Sequence, residues 1–253
     1  MFEVIGIPAF KDNYIWLLRK GAAAVVVDPG DAAPVLDVLQ QEKLSLEAIL
    51  VTHHHQDHQG GIPSLLSHFA AEVYGPATES ITALTHPLRG GEVLTLPALG
   101  CPVRVMSTPG HTAGHLAYLA SDALFCGDTL FSAGCGRVFE GTPLQMWNSL
   151  SLLSALPDGT RVFCAHEYTE ANLRFAMAVE PGNRFLRDRV DEVAVLRAKG
   201  QPSVPSFLAL ERATNPFLRC NVPEVVESAR QHGAASLESA DVFAALRGWK
   251  NSF

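Results

Sequence analysis

Residues Thr52-His53-His54-His55-Gln56-Asp57-His58-Gln59-Gly60-Gly61 concentrate the metal-binding chemistry of this chain. Four of its ten histidines and one aspartate fall within six residues. Imidazole and carboxylate are ligands that zinc, iron and manganese accept. The cluster follows the apolar run Ala48-Ile49-Leu50-Val51, which reads as a buried strand, and the two glycines read as a sharp exit into a helix. In extended chain His53 and His55 point to one side and His54 to the other. Asp57 and His58 follow where the chain turns, so one short segment offers ligands to two metal ions. The plainer alternative is a solvated histidine loop or a tag. A tag would be terminal and uninterrupted, whereas this cluster is internal, follows a strand and carries an aspartate.

Three later segments place further ligands at predicted strand ends: His111 within Thr108–His115, Asp128 after Phe125-Cys126-Gly127, and His166 after Phe163-Cys164-Ala165. Singly each is weak, because an aspartate after glycine usually makes a turn or cap and a lone histidine is usually structural. Together with the cluster they make seven candidates. The expected division gives His53, His55 and His111 to one metal and Asp57, His58 and His166 to the other. Asp128 bridges, since a carboxylate can offer an oxygen to each cation and a neutral imidazole cannot. Paired cations lower the pKa of bound water from about 16 toward 7, so a metal-bridging hydroxide is the expected nucleophile. Asp57 and Asp128 are then the catalytic carboxylates. His54 is expected to be a spacer, and His115 a supporting or structural residue.

The elements that must position these groups are short apolar runs bounded by Gly, Pro and Asp. Strands are expected at 14–18, 24–28, 48–52, 92–96, 103–107, 116–119, 123–126 and 161–164. Helices are expected at 34–41, 62–69 and 144–156, with Pro34 in a first turn, where its missing N–H costs little. Beyond about His166 the pattern turns helical, over 169–179, 183–199, 223–230 and 239–248. The second of these carries Leu186, Val190, Val193 and Arg197 on one stripe, with Gly200 as a stop. Gln201–Pro205 reads as a linker or crossing stretch. Runs of strands with occasional helices suggest sheets sandwiched by helices. The expected fold is α+β, a catalytic domain over 1–168 and a small α-helical domain over 169–253.

The chain is 47% hydrophobic and 18% charged over 253 residues, enough apolar content for a packed core. Its formal net charge of −7 argues against a nucleic-acid binder, which would show a basic face. No apolar run reaches the length of a membrane span, and the start lacks the basic residues of a signal peptide. The five cysteines form no CxxC pair and read as buried small residues of a cytoplasmic protein, expected to be monomeric.

The segments THHHQDH, PGHT, GDTLF and AHEYT resemble those of the metallo-β-lactamase superfamily. The chain is further similar to the hydroxyacylglutathione hydrolase (glyoxalase II) family. That likeness includes Asp12–Trp16, Val27–Gly30, Ala133–Arg137 and Asn215–Arg219, and covers essentially the whole chain. The resemblance implies an αββα sandwich followed by a helical domain, two divalent metal ions with zinc first and iron or manganese as alternatives, and S-D-lactoylglutathione as substrate. Such a thioester would be cleaved to D-lactate and glutathione in methylglyoxal detoxification. A thiolate leaves without an obligatory general acid, and oxyanion stabilisation by a metal suits this chemistry. By the same resemblance Arg137, Tyr168, Arg247 and Lys250 occupy glutathione-binding positions. Pattern alone would make Arg247 and Lys250 solvated tail charges. Phe139 departs from a form of the motif with tyrosine, so a phenolic hydrogen bond to glutathione is absent there.

Rival readings remain within the superfamily. A β-lactamase is disfavoured by the tail segment and an RNase by the acidic balance. A glutathione persulfide dioxygenase with a single iron shares much of the histidine pattern. A non-catalytic metal-binding module fits poorly, because structural sites are closed and this one keeps an open bridging position.

Overall fold

Most of the predicted runs fold as strands or helices, in a computed structural model that describes residues 2–253. The chain divides into two units. One runs to Ser107 and resumes over Thr112–Gly127, and the other combines Thr108–His111 with Asp128–Phe253.

The first unit contains β1 (Glu3–Ala9), β2 (Asn13–Lys20), β3 (Ala23–Val27), α1 (Ala33–Gln41), β4 (Ser45–Leu50), α2 (Gln56–Gln59) and α3 (Ile62–His68). There follow β5 (Glu72–Pro76), β6 (His86–Leu88), β7 (Val93–Thr95), β8 (Pro102–Ser107), β9 (Leu116–Ala120) and β10 (Ala123–Gly127). Strands β1 to β6 lie in chain order in one sheet. Its β1–β2–β3 part is antiparallel, and β3 to β6 are parallel. Strands β7 to β10 form an antiparallel meander. Leu17, Val26, Ile49 and Val73 pack with Val35 of α1 and Leu65 of α3 in one buried cluster. Each such side chain stabilises the fold by about 1.5–3 kcal/mol. Tyr118 of β9 is fully buried and donates to Val51 O at 2.7 Å, while Leu116 N donates to Thr52 O at 2.9 Å. The meander is thereby tied to the chain just beyond β4, where the histidine cluster begins. Carboxyl ends of parallel strands are where open α/β sheets place their ligands.

The second unit contains β11 (Leu130–Phe131), β12 (Gly134–Cys135), α4 (Pro143–Ser154), β13 (Arg161–Cys164), α5 (Thr169–Val179) and α6 (Arg184–Ala198). It continues with β14 (Ser206–Phe207), α7 (Leu208–Thr214), a 3-10 turn (Pro216–Leu218), α8 (Pro223–Gln231) and α9 (Ser239–Ser252). A capping box starts α4, with Gln145 N donating to Thr142 Oγ1 and Thr142 N to Gln145 Oε1. The expected stop of α6 holds, Gly200 lying at φ +68°. Its buried stripe is Leu186, Arg189 and Val193, while the Arg197 side chain stays 30% exposed. Helix α9 runs past the expected end at Gly248 to Ser252, because Phe243 and Trp249 lock onto Phe217 and Phe175 respectively. Among the described residues no helix is long and apolar enough to cross a membrane. The fold class is that expected from sequence: α+β, mixed sheets with helices, and a helical C-terminal part. Strands β1, β5, β6, β11, β12 and β14 and helices α2 and α7 went unpredicted. Short runs such as Glu72–Pro76 and His86–Leu88 carry too little periodicity to announce themselves.

Candidate metal centre and adjoining cleft

In the first unit the candidate ligands hang on a buried carboxylate. Asp28 sits just past β3 at φ +53°, a left-handed conformation that aspartate tolerates better than most residues. Its oxygens accept from Thr52 N at 2.7 Å, Thr52 Oγ1 at 2.8 Å and His58 Nδ1 at 3.1 Å. The last bond places the ring proton on Nδ1 and leaves Nε2 as the nitrogen that could ligate a metal. That Nε2 lies 3.5 Å from Asp57 Oδ2, which also accepts from Asn13 Nδ2 at 3.0 Å. His53 Nδ1 lies 3.0 Å from Thr52 Oγ1, and its Nε2 lies 3.0 Å from His55 Nδ1. The expected same-side placement of His53 and His55 is met. His54 turns instead to Glu79, with 2.9 Å between Nδ1 and Oε2. His115 is fully buried and stacks on the His53 ring at 4.9 Å.

Close backbone approach explains the glycines here. A Cβ on Gly30 would stand 1.9 Å from Asp57 O, and one on Gly61 would stand 2.6 Å from Ala32 N. Gly60 and Gly61 therefore let α2 and α3 lie against the 28–32 loop, and both have ordinary helical backbone angles.

In the second unit Asp128 is 7% exposed and lies between two imidazoles. Its Oδ2 is 3.4 Å from His111 Nε2 and its Oδ1 is 3.4 Å from His166 Nε2. His111 Nδ1 donates to Arg137 O at 2.9 Å, so its Nε2 carries the lone pair. The His166 ring stacks on Tyr168 at 4.7 Å. A Cβ at Gly136 would stand 1.9 Å from Asp128 O, so this glycine lets the chain pass directly over the aspartate.

These donors fit a divalent metal. Two ligands about 2.0–2.1 Å from a tetrahedral ion stand about 3.3 Å apart, close to the 3.4–3.5 Å separations of the imidazole–carboxylate pairs. Three of the histidines turn their second nitrogen to a protein oxygen, at Thr52, Asp28 and Arg137, as ligating histidines do.

A cleft of about 400 Å³ in the second unit is lined by His111 and Asp128 together with Arg137, Tyr168, Arg247 and Lys250. Arg137 and Tyr168 are exposed. Arg247 is 4% exposed, falling within the apolar stripe of α9. Its Nη1 donates to Cys135 O at 2.9 Å and its Nη2 to Asn251 Oδ1 at 3.1 Å, and its guanidinium lies over Phe217 at 5.3 Å. Its Nε is buried without a hydrogen-bond partner among the described residues. Lys250 Nζ lies over Phe175 at 5.1 Å. Burial, then repulsion from Arg247, pushes its ammonium down to about 8. Cys135 also lines the cleft; burial raises its thiol, and Arg247 opposes this only in part. The thiol is thus held in its unreactive form, as its reading as a packing residue expects. Phe139 is exposed in the same wall and meets the His111 ring edge-on at 5.2 Å.

The supporting residues Asp28, Asn13 and Glu79 had no role in the sequence reading. They lie far along the chain from their partners, and only the Asp12–Trp16 and Val27–Gly30 resemblance segments touched two of them.

The metallo-beta-lactamase superfamily model matches residues 10–166, so the chain is a metallo-β-lactamase-fold protein. The hydroxyacylglutathione hydrolase C-terminus model matches residues 167–253. A hydroxyacylglutathione hydrolase of Dechloromonas aromatica is 58% identical, the alignment covering all of both chains. The chain belongs to the hydroxyacylglutathione hydrolase family. Among solved structures, ETHE1 from Myxococcus xanthus shares the fold at 23% identity and a TM-score of 0.66, over 100% of this chain and 99% of that one. TTHA1623 in a di-iron-bound form is 28% identical with a TM-score of 0.54, over 65% of this chain and 91% of that one.

Proposed function

We propose that this chain hydrolyses S-D-lactoylglutathione, and 2-hydroxyacylglutathiones generally, to the free hydroxy acid and glutathione. The cleft of the second unit carries the reading, because candidate metal ligands and carboxylate-binding cations line one cavity. Glutathione brings two carboxylates. Arg137 can clamp one bidentately from the exposed rim, while Arg247 and the half-buried Lys250 add positive charge deeper in. Tyr168, with its ring fixed against His166, offers a hydroxyl beside them.

The proposed ligand sets are His53, His55 and His111 for one ion and Asp57, His58 and His166 for the other, with Asp128 shared. The opposed placement of the two Asp128 oxygens supports the sharing. Two divalent cations, zinc first and iron or manganese as alternatives, would supply activated water and an electrophile for the thioester carbonyl. The chain's own part is orientation. Asp28 fixes the His58 ring, Asn13 fixes Asp57, and the Arg137 carbonyl fixes His111. The thiolate departs without a general acid, so no protein proton donor is required at the sulfur. Residues 1–168 form the catalytic domain in this reading and 169–253 the glutathione-binding one. The enzyme acts as a cytoplasmic monomer on a small molecule, with no nucleic-acid or membrane partner.

The test is loss of thioester absorbance on adding metal-loaded protein. Wild type is expected to turn the substrate over, and Asp128→Ala and His166→Ala to abolish turnover. Oxygen uptake with glutathione persulfide in place of hydrolysis would establish the dioxygenase instead.

A further inference from the structure

The hairpin β11–β12 connects Asp128 to Arg137, and its turn is strained. Ala133 has φ +54°, a left-handed conformation that costs an alanine about 1 kcal/mol or more. Something must hold it. Ala133 N donates to Glu211 Oε2 at 2.8 Å, and Glu211, in α7, is fully buried. Asn215, also fully buried, donates through Nδ2 to Gly134 O at 2.9 Å, Phe131 O at 3.2 Å and Glu211 Oε2 at 3.2 Å. Its Oδ1 accepts from Phe217 N at 3.1 Å, which starts the 3-10 turn. The hairpin is thus gripped from one side at three backbone positions.

The other side of the hairpin faces the cleft. Cys135 O and Gly136 O accept from Arg247 Nη1, at 2.9 Å and 3.5 Å, and Arg137 is the next residue. The direction of the Arg247 guanidinium is therefore set by carbonyls whose own position depends on the grip. Thr129, next to Asp128, has a separate hold, its Oγ1 donating to Thr108 O at 3.5 Å. The grip thus acts on the binding end of the hairpin more than on the aspartate end.

We propose that Glu211 and Asn215 are positioning residues for glutathione binding: they hold the 130–135 hairpin so that Arg247 and Arg137 are aimed into the cleft. The proposal rests on the glutathione-thioester reading of that cleft. Burial raises the Glu211 pKa, against the opposing pull of hydrogen bonds that include those from Ala133 N and Asn215 Nδ2. The oxygen that receives Ala133 N serves equally in a carboxylate or an amide, so Glu211→Gln should preserve the grip.

The experiment uses the metal-loaded full chain and reads KM and kcat for S-D-lactoylglutathione, Kd for glutathione by calorimetry, and metal content. Glu211→Ala is expected to raise KM and glutathione Kd at least tenfold, change kcat less than threefold and leave metal content unchanged. Glu211→Gln is expected to return KM and Kd to within threefold of wild type. If Glu211→Ala does not fold, Asn215→Asp keeps the Phe217 cap, loses the donations to Phe131 O and Gly134 O, and is expected to show the same KM and Kd rise. A lowered Tm with KM and Kd within twofold of wild type would make the pair merely structural and overturn the proposal. So would a collapse of kcat with loss of metal. Failure of the underlying reading looks different: wild type itself would neither turn over the thioester nor bind glutathione.

Discussion

Lys250 gives the sharpest pH prediction. Its ammonium, half-buried over Phe175, is pushed down from the ordinary 10.5 to about 8 by desolvation and then by repulsion from Arg247, Arg174 and Arg137. If it pairs with a substrate carboxylate, only its charged form binds well. About nine tenths of the free enzyme carries that charge at pH 7 and about one tenth at pH 9, so KM should rise roughly tenfold between them. A hydrogen bond to a charged group is worth about 1.5–3 kcal/mol, which caps the effect at roughly 10- to 150-fold. Lys250→Met should show at pH 7 the weak binding that wild type reaches only above pH 9, with a flattened profile. Lys250→Arg should keep low KM and also lose the dependence, since its guanidinium stays charged. Stability runs the other way. The folded-state pKa lies below the unfolded one, so the charge opposes folding below pH 8 and the penalty fades as pH rises from 8 to 10.5. Its size is at most about 3 kcal/mol, so Lys250→Met should raise Tm at pH 7. The measurement is steady-state KM across pH 6.5–9.5, with Tm for each variant. A wild-type KM flat across that range, or the same rise in Lys250→Met, would refute the assignment.

Two further outcomes test the metal ligands and the cleft wall. Asp28→Asn presents an amide N–H to His58 Nδ1, forcing the ring proton onto Nε2, the proposed ligating atom; metal affinity by chelator competition should fall about 10- to 100-fold. An unchanged affinity would show that Asp28 only braces the backbone through Thr52. Phe139→Tyr adds a hydroxyl to the exposed wall of the cleft and should lower KM about three- to tenfold, with kcat little changed. A KM unmoved by that hydroxyl would place glutathione away from this wall.

Much of the candidate site was legible because ligand chemistry is local. The cluster His53–His58 sits one turn past an apolar strand, and period-two alternation alone separates His53 and His55 from His54. His111, Asp128 and His166 each follow an apolar run, and a strand end is a position that sequence marks well. The family resemblance pointed to Arg137, Tyr168, Arg247 and Lys250, and the structure brings all four to one cleft with His111 and Asp128.

Tertiary structure decided what those residues are in physical terms. Arg247 read as a solvated tail charge by pattern, yet the aromatic anchors Phe243 and Trp249 carry its helix into the core and bury it. Burial, a property of the packed fold, likewise sets the low pKa of Lys250. Asp28 reaches Thr52 and His58 across 24 and 30 residues, and Glu211 reaches Ala133 across 78. No periodicity records such pairings, because hydrophobic patterning states only which side of an element is covered and never by what. Residue types and their spacing show which atoms could bind a metal and a charged thioester. The fold determined their tautomers, their aim and their charge, because all three depend on neighbours that are distant along the chain.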